Sequence, residues 1–349
     1  MGRGLFIALL GVSMLGATAA SAAPGERCFG KQADIVGTSG RDRIKGTSKS
    51  EVIIGGDGRD RIKGGGGNDL ICGGRGHDVI RAGTGNDQVD GGPGSDILVG
   101  DVGDDVLIGQ AGGDSLIGGP GNDIMRAGSS PFDFLLGGDG DDVYDGGKGP
   151  TDVASLEGSP VAVTVDLGLT TPQNTGEGLD TFIGSEGIVG SEFNDTLRGQ
   201  DVVAEVGNGL FGLDGSDTIL GLEGNDFIAG GAGNDNVGAG LDGGNGNDQI
   251  FGDEADEFFL TTGGDDALYG GPGDDYLDGG GNFSGPPAGD YGNGGPHLAG
   301  DECRNLEDAT TIECEKFSRT ARSSAYESGL AVRSAWFAVL ERMERISTV

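Results

Sequence analysis

The chain has 349 residues, of which 77 are glycine, and carries 57 acidic against 22 basic side chains for a formal net charge of -35. Such a polyanion repels phosphate, which removes nucleic acid and anionic membrane surfaces from the candidate partners and favours polyvalent cations. Low hydrophobicity with high charge would by itself read as disorder, but the spacing of the residues argues for order.

Residues 1–22 read as a signal peptide: Arg3 in a short basic start, an apolar run from Leu5 to Leu15, and the small-x-small site Ala20-Ser21-Ala22. A transmembrane anchor is the competing reading, disfavoured by the short run, and no other stretch is long enough to span a bilayer. Export predicts a secreted, extracellular protein and an oxidising setting for Cys28, Cys72, Cys303 and Cys314. Of the three possible pairings, Cys28–Cys72 with Cys303–Cys314 is favoured. Zinc is disfavoured, because no CxxC occurs and the two histidines, His77 and His297, are far apart. Residues 23–36 are expected to cap the N-terminal end.

A nine-residue frame begins at Gly37 and holds for ten units to Arg126, with GGDGRDRIK from Gly55, GGGGNDLIC from Gly64 and GGPGNDIMR from Gly118 among the clearest. After a one-residue slip near Ser129 comes GGDGDDVYD from Gly137. The frame returns at Gly190 with GSEFNDTLR, and GLDGSDTIL, GLEGNDFIA, GGNGNDQIF and GGPGDDYLD follow. This predicts a first repeat block over 37–155 and a second over 190–280. Glycines at the first, second and fourth places permit positive φ and close approach of neighbouring turns. Proline at the third place fixes φ where no ladder donor is needed. The sixth place is nearly always Asp and the eighth apolar, so six residues turn and three make a short strand. One inward side chain per strand fits a flattened coil in which two units complete a winding. Strands then stack in parallel about 4.8 Å apart, and the sixth-place aspartates stack with them. Burying one Ile or Leu per nine ordered residues does not offset the backbone entropy, and stacked carboxylates repel. Calcium between turns reverses that sign. It takes six or more oxygen ligands, which Asp and glycine-turn carbonyls supply, and its binding becomes folding energy. Magnesium suits the site less, being held to tighter octahedral geometry.

These units resemble the GGxGxDxUx repeats of the RTX, or haemolysin-type, calcium-binding family. The resemblance implies an all-β fold, a parallel β-roll or β-helix solenoid, with multiple Ca2+ ions as its cofactors. It further implies that the sixth-place aspartates are the calcium ligands: Asp42, Asp60, Asp69, Asp78, Asp87, Asp96, Asp105, Asp114, Asp123, Asp142, Asp217, Asp226, Asp235, Asp248, Asp266 and Asp275. Two units depart from the pattern. That from Gly46 has Lys49 in place of a turn glycine and Glu51 in place of Asp, and GDEADEFFL from Gly252 has Ala255 at the fourth place. Calcium is doubtful at both. Arg41, Arg43, Lys45, Arg61 and Lys63 make the first windings basic, which reads as a solvated face.

Over 156–189 the frame lapses, and Val161 to Leu167 alternates as an ordinary strand. This region is expected to be a strand-rich spacer continuing the solenoid, with a carbohydrate or partner surface as the alternative. Residues 281–314 read as a Gly/Pro-rich linker with a Cys-stapled cap. Residues 315–349 place Val332, Trp336, Val339, Leu340 and Met343 at helical spacing, predicting a short C-terminal amphipathic helix that covers the open end of the roll. An export signal, a partner-docking helix and a reading-frame artefact are its rivals.

GxSxG and HExxH are absent, and no nucleophile–base pair suggests itself. The expectation is a calcium-binding, non-enzymatic protein with a structural or adhesive role at the cell exterior. The alternative is an accessory calcium-binding module of a secreted hydrolase or toxin system. Calcium ions are the expected partner, together with a cell-surface or extracellular ligand as a further class.

Overall fold

A computed structural model describes residues 26–130, 132–201, 207–233, 235, 241–245 and 248–252. It also describes, by backbone alone, the strands Ala20–Ser21, Ala267–Tyr269, Tyr276–Asp278, Tyr291–Asn293 and Glu302–Arg304. The signal segment up to residue 19, Asp266, Asp275, most of the unit from Gly252, Cys314 and the predicted C-terminal helix lie outside the described residues.

The chain is an all-β parallel solenoid. Strands Val52–Gly58, Leu70–Gly76, Gln88–Pro93, Val106–Ala111, Ile124–Gly128 and Val143–Gly147 stack into one face, within a ten-stranded sheet. Between them in sequence, Arg43–Lys45, Arg61–Gly66, Val79–Thr84, Ile97–Val102 and Ser115–Ile117 stack into the opposite face, which runs through thirteen strands to Glu302–Arg304. Each strand pairs with the one a full winding away: Ile53 stands beside Ile71 and Ile62 beside Ile80, 18 residues on. Pairing alternate units follows from the period, because a nonapeptide with six turn residues reverses the chain once.

The eighth-place side chains point inward and form one continuous core. Ile53, Ile71, Val89, Leu107, Met125 and Tyr144 from one face meet Ile62, Ile80, Leu98, Leu116 and Leu135 from the other, all with at most 1% exposure. The slip near Ser129 appears as a register step from 18 to 19 residues, Leu116 pairing with Leu135 and Met125 with Tyr144. The ring of Tyr144 stacks on Phe182 at 5.0 Å, and its hydroxyl accepts the Gly137 N–H at 3.1 Å, which satisfies the one polar atom this core residue brings inside.

The spacer reverses the stacking order. Thr164–Asp166 pairs forward with Thr196–Arg198 and opens a six-stranded sheet, whereas Leu179–Ile183, later in sequence, pairs backward with Val143–Gly147. The gap between these two sheets is bridged by a side chain. The Gln173 amide accepts the Asp166 N–H at 2.8 Å and donates to the Asp166 carbonyl at 2.9 Å, imitating a strand partner. Val165, Leu197, Ile219 and Leu241 then continue the core.

Cys28 and Cys72 form a disulfide that ties the N-terminal residues to the first windings. The partnership of Cys303 with Cys314 lies outside the described residues. Among the described residues no helix is long and apolar enough to cross a membrane.

Candidate metal centre

The turns place the sixth-position carboxylates in ladders along the edges of the coil. On the edge leading into the long sheet, the backbone N–H of Asp42 donates to Asp60 Oδ1 at 2.7 Å. Asp60 donates likewise to Asp78, and Asp78 to Asp96, each at 2.7 Å. The ladder continues through Asp114 to Asp133. On the other edge Asp69, Asp87, Asp105, Asp123 and Asp142 repeat the pattern. In the later windings Asp217 pairs with Asp235 and Asp226 with Asp248.

In many of these carboxylates one oxygen is satisfied by the ladder and the other is not. In Asp60, Asp69, Asp78, Asp87, Asp105, Asp123, Asp142, Asp217 and Asp226 the second oxygen, Oδ2, is buried without a hydrogen-bond partner. Its surroundings are oxygen. A Cβ placed at Gly73 would touch both Asp78 Oδ2 and the Gly91 carbonyl oxygen, at 2.7 and 2.6 Å, so two acceptors converge on the first-place glycine. Facing acceptors with no proton between them are costly in a low-dielectric interior, and a hard cation is the group that reconciles them. Among the described residues no three carboxylate, histidine or cysteine side chains gather at one point. An ion at these turns would meet main-chain carbonyls beside the carboxylates, ligands that calcium accepts readily.

The winding at Asn208 shows what belongs in that space. Asn208 occupies the ladder position before Asp226, its N–H donating to Asp226 Oδ1 at 2.6 Å. Its Nδ2 then donates to Gln200 O at 3.0 Å, Gly221 O at 3.1 Å and Asp226 Oδ1 at 3.0 Å. Three oxygens converge on a single electropositive nitrogen where the aspartate windings offer a further oxygen.

Three turns satisfy the carboxylate from within. Thr38 donates its N–H and hydroxyl to Asp42 Oδ2 at 2.6 and 2.8 Å, while Thr47 and Ser191 divide the same two donors between both carboxylate oxygens of Glu51 and Asp195. In each, a hydroxyl residue replaces the second-place glycine. Asp42 therefore differs from the other predicted ligands, since its Oδ2 is already engaged.

Burial shifts the carboxylates of Asp69, Asp105, Asp123, Asp142, Asp217 and Asp226 upward from the ordinary value of 3.8. Loss of hydration leads in every case. For Asp105, pushed up to about 7, the neighbouring carboxylates of Asp123 and Asp87 add to it. Asp142 is pushed up to about 8, Asp217 and Asp226 to about 7, and Asp69 and Asp123 to about 6. Without a cation, burial makes these carboxyls hold a proton more readily than they do in water.

The ladders also include four aspartates outside the predicted ligand set: Asp133, Asp152 and Asp180, which the nonapeptide frame passes over, and Asp195, the sixth place of the unit from Gly190. Asp133 accepts from Asp114, Asp180 from Asp142, and Asp195 accepts the Val163 N–H while donating to Asp217. Asp152 extends the first ladder and donates to Glu186. Their signal is the triplet that follows the turn, an acid, any residue, then an apolar one: Asp133-Phe-Leu, Asp152-Val-Ala, Asp180-Thr-Phe and Asp195-Thr-Leu. Residues Thr175 to Ile183, TGEGLDTFI, are a complete unit inside the spacer, hidden because Thr175 stands in the first glycine place. The Thr175 hydroxyl donates to Asp180 Oδ2.

The class is defined by these features: a parallel β-roll whose glycine turns offer buried, opposed oxygens to cations. The chain belongs to the RTX calcium-binding nonapeptide repeat family, whose model matches residues 45–80, 73–107, 99–130, 132–150, 211–250, 241–256 and 251–283. A comparison with curated proteins gives no match. Calcium is accordingly the ion that this repeat class binds.

Proposed function

We propose that this chain is an exported protein whose roll is completed by several calcium ions, each held between turns one winding apart, and that it serves a structural or adhesive role outside the cell. The observation that carries this reading is the pairing of a buried, unpartnered Asp Oδ2 with a glycine carbonyl, as at Asp78 and Gly91. The proposed ligands are the sixth-place aspartates in turns with glycine at the second place or a positive-φ residue there, with Asp42 and Glu51 set apart by their threonine donors. Leaving a low-calcium interior, the chain's carboxylates repel and the roll stays open; in higher calcium outside, ion binding supplies the missing folding energy.

Circular dichroism of the chain without its first 22 residues tests this. At neutral pH a β signal that rises strongly with calcium and falls with chelator is expected. A signal indifferent to chelator at neutral pH would overturn the reading. Binding to cells or glycans that is lost on chelation separates adhesion from an accessory role beside a separate effector.

A further inference from the structure

The outer face of the thirteen-stranded sheet changes character along its length. Its first strands present Arg43, Arg61, Lys45 and Lys63 to solvent. From the strand Phe134–Leu136 to the strand Gln249–Phe251 each strand carries a large apolar residue at one of its two outward positions. Phe134, Val153, Val189, Phe211, Phe227 and Phe251 form a cluster separate from the solenoid core, each with at most 4% exposure. Phe227 contacts Phe211 at 5.7 Å and Phe251 at 5.3 Å between ring centres. The outside of a single-sheet wall has no second layer of its own, so side chains withheld from water there require a cover.

We propose that residues 315–349 fold back along the solenoid axis and seat their apolar side chains on this strip, covering the wall of the roll in place of its open end. Dimensions agree. The strip crosses five strand spacings, about 24 Å, and a helix from Val332 to Ile346 would extend about 22 Å. The last strand of the same sheet, Glu302–Arg304, lies two strand positions beyond Gln249–Phe251. From Arg304, the residues up to Val332 have ample reach to bring the segment back. Charge agrees as well. Lys316, Arg319, Arg322, Arg333, Arg342 and Arg345 outnumber four glutamates in a segment that belongs to a chain of net charge -35. The apolar stripe of Val332, Trp336, Val339, Leu340 and Met343 supplies the aromatic and aliphatic complement to the phenylalanines.

Trp336 is the sole tryptophan and reports its own environment. In the full chain with calcium its emission is expected at short wavelength and shielded from acrylamide, independent of protein concentration. Leu340→Asp should shift the emission to longer wavelength and raise hydrophobic-dye binding, with calcium-induced circular dichroism unchanged. Phe211→Ser, on the strip, should release Trp336 in the same way. Because the seat requires the roll, dichroism is read in the same samples, which distinguishes failure of calcium folding from failure of docking. A solvent-exposed Trp336 in the calcium-folded chain would overturn the proposal, as would a shielded one that Phe211→Ser leaves unmoved while the roll folds. Shielding that disappears on dilution would instead assign the strip to a second copy.

Discussion

The side-chain amide of Asn208 donates to Oδ1 of Asp226 at 3.0 Å from the ladder place that an aspartate fills in most other windings. An N–H donor thus does at this winding what a cation would do at its neighbours. Asn208→Asp removes the two donors and leaves Gln200 O, Gly221 O and Asp226 Oδ1 facing another oxygen. The metal-free roll should lose roughly 1–3 kcal/mol, the cost of stranding buried acceptors, and the saturated protein should bind about one more calcium. Titration calorimetry against wild type measures this. An unchanged ion count would refute the equivalence of amide and cation.

The raised acidities give calcium dependence a pH signature. Asp142 at about 8, and Asp105, Asp217 and Asp226 at about 7, keep protons in the metal-free roll that the unfolded chain, near 3.8, has already lost. The folded state binds more protons between those values, so its stability falls as pH rises. The contribution is full below about pH 4 and is lost through about pH 6 to 8. In chelator, β structure should be retained at about pH 5 and lost at about pH 8. With calcium the order inverts for affinity: ions require the carboxylates ionised, so binding should weaken on acidification and release protons in weakly buffered solution. Metal-free dichroism that grew with rising pH would contradict the burial argument.

The coil, its two-unit winding and most ladder residues are legible in the sequence because place six and place eight do one job each, and each job admits few residue types. The eighth place must fill a narrow core, hence Ile, Leu, Val and Met; the sixth must accept a main-chain N–H and face inward, hence Asp. Asp180 escapes because Thr175 fills the first glycine place of its unit with a hydroxyl. Asn208 escapes for a different reason. The insertion from Gly199 to Gly207 shifts the frame, and only the three oxygens around its Nδ2 reveal the role. The outer phenylalanines are visible as residues, but nothing in a nonapeptide says whether the outside of a strand is wet.

One repeat position has opposite tolerances in different turns. Gly76 sits at the fourth place with φ at 144°, and a Cβ there would run into the Gly58 carbonyl oxygen of the winding before. Gly40, also fourth in its unit, lies in the turn that Thr38 closes, where a Cβ would meet only the Thr38 hydroxyl oxygen at 3.8 Å. Gly76→Ala should therefore lower the calcium-bound melting temperature and displace at least one ion. Gly40→Ala should lie within about 0.5 kcal/mol of wild type, as substitutions clear of special features do. Equal losses at both positions would show that contact with the winding before is not what demands a glycine at Gly76.

The first windings should also keep their structure without calcium. Asp42 and Glu51 have Thr38 and Thr47 as donors, so neither depends on an ion, and the Cys28–Cys72 disulfide closes a 44-residue separation around them. Loop-closure entropy puts the contribution of such a bridge at roughly 4 kcal/mol. Beyond them, Asp60, Asp69, Asp78 and Asp87 each leave an oxygen unpartnered. Hydrogen exchange in chelator at neutral pH should find amides from Gly37 to Ile54 more protected than those from Gly91 to Arg126, with reduction of the disulfide narrowing the difference and calcium abolishing it. Uniform exchange along the roll in chelator would mean that the threonine turns and the disulfide do not hold an ordered end, and that folding with calcium begins without a template.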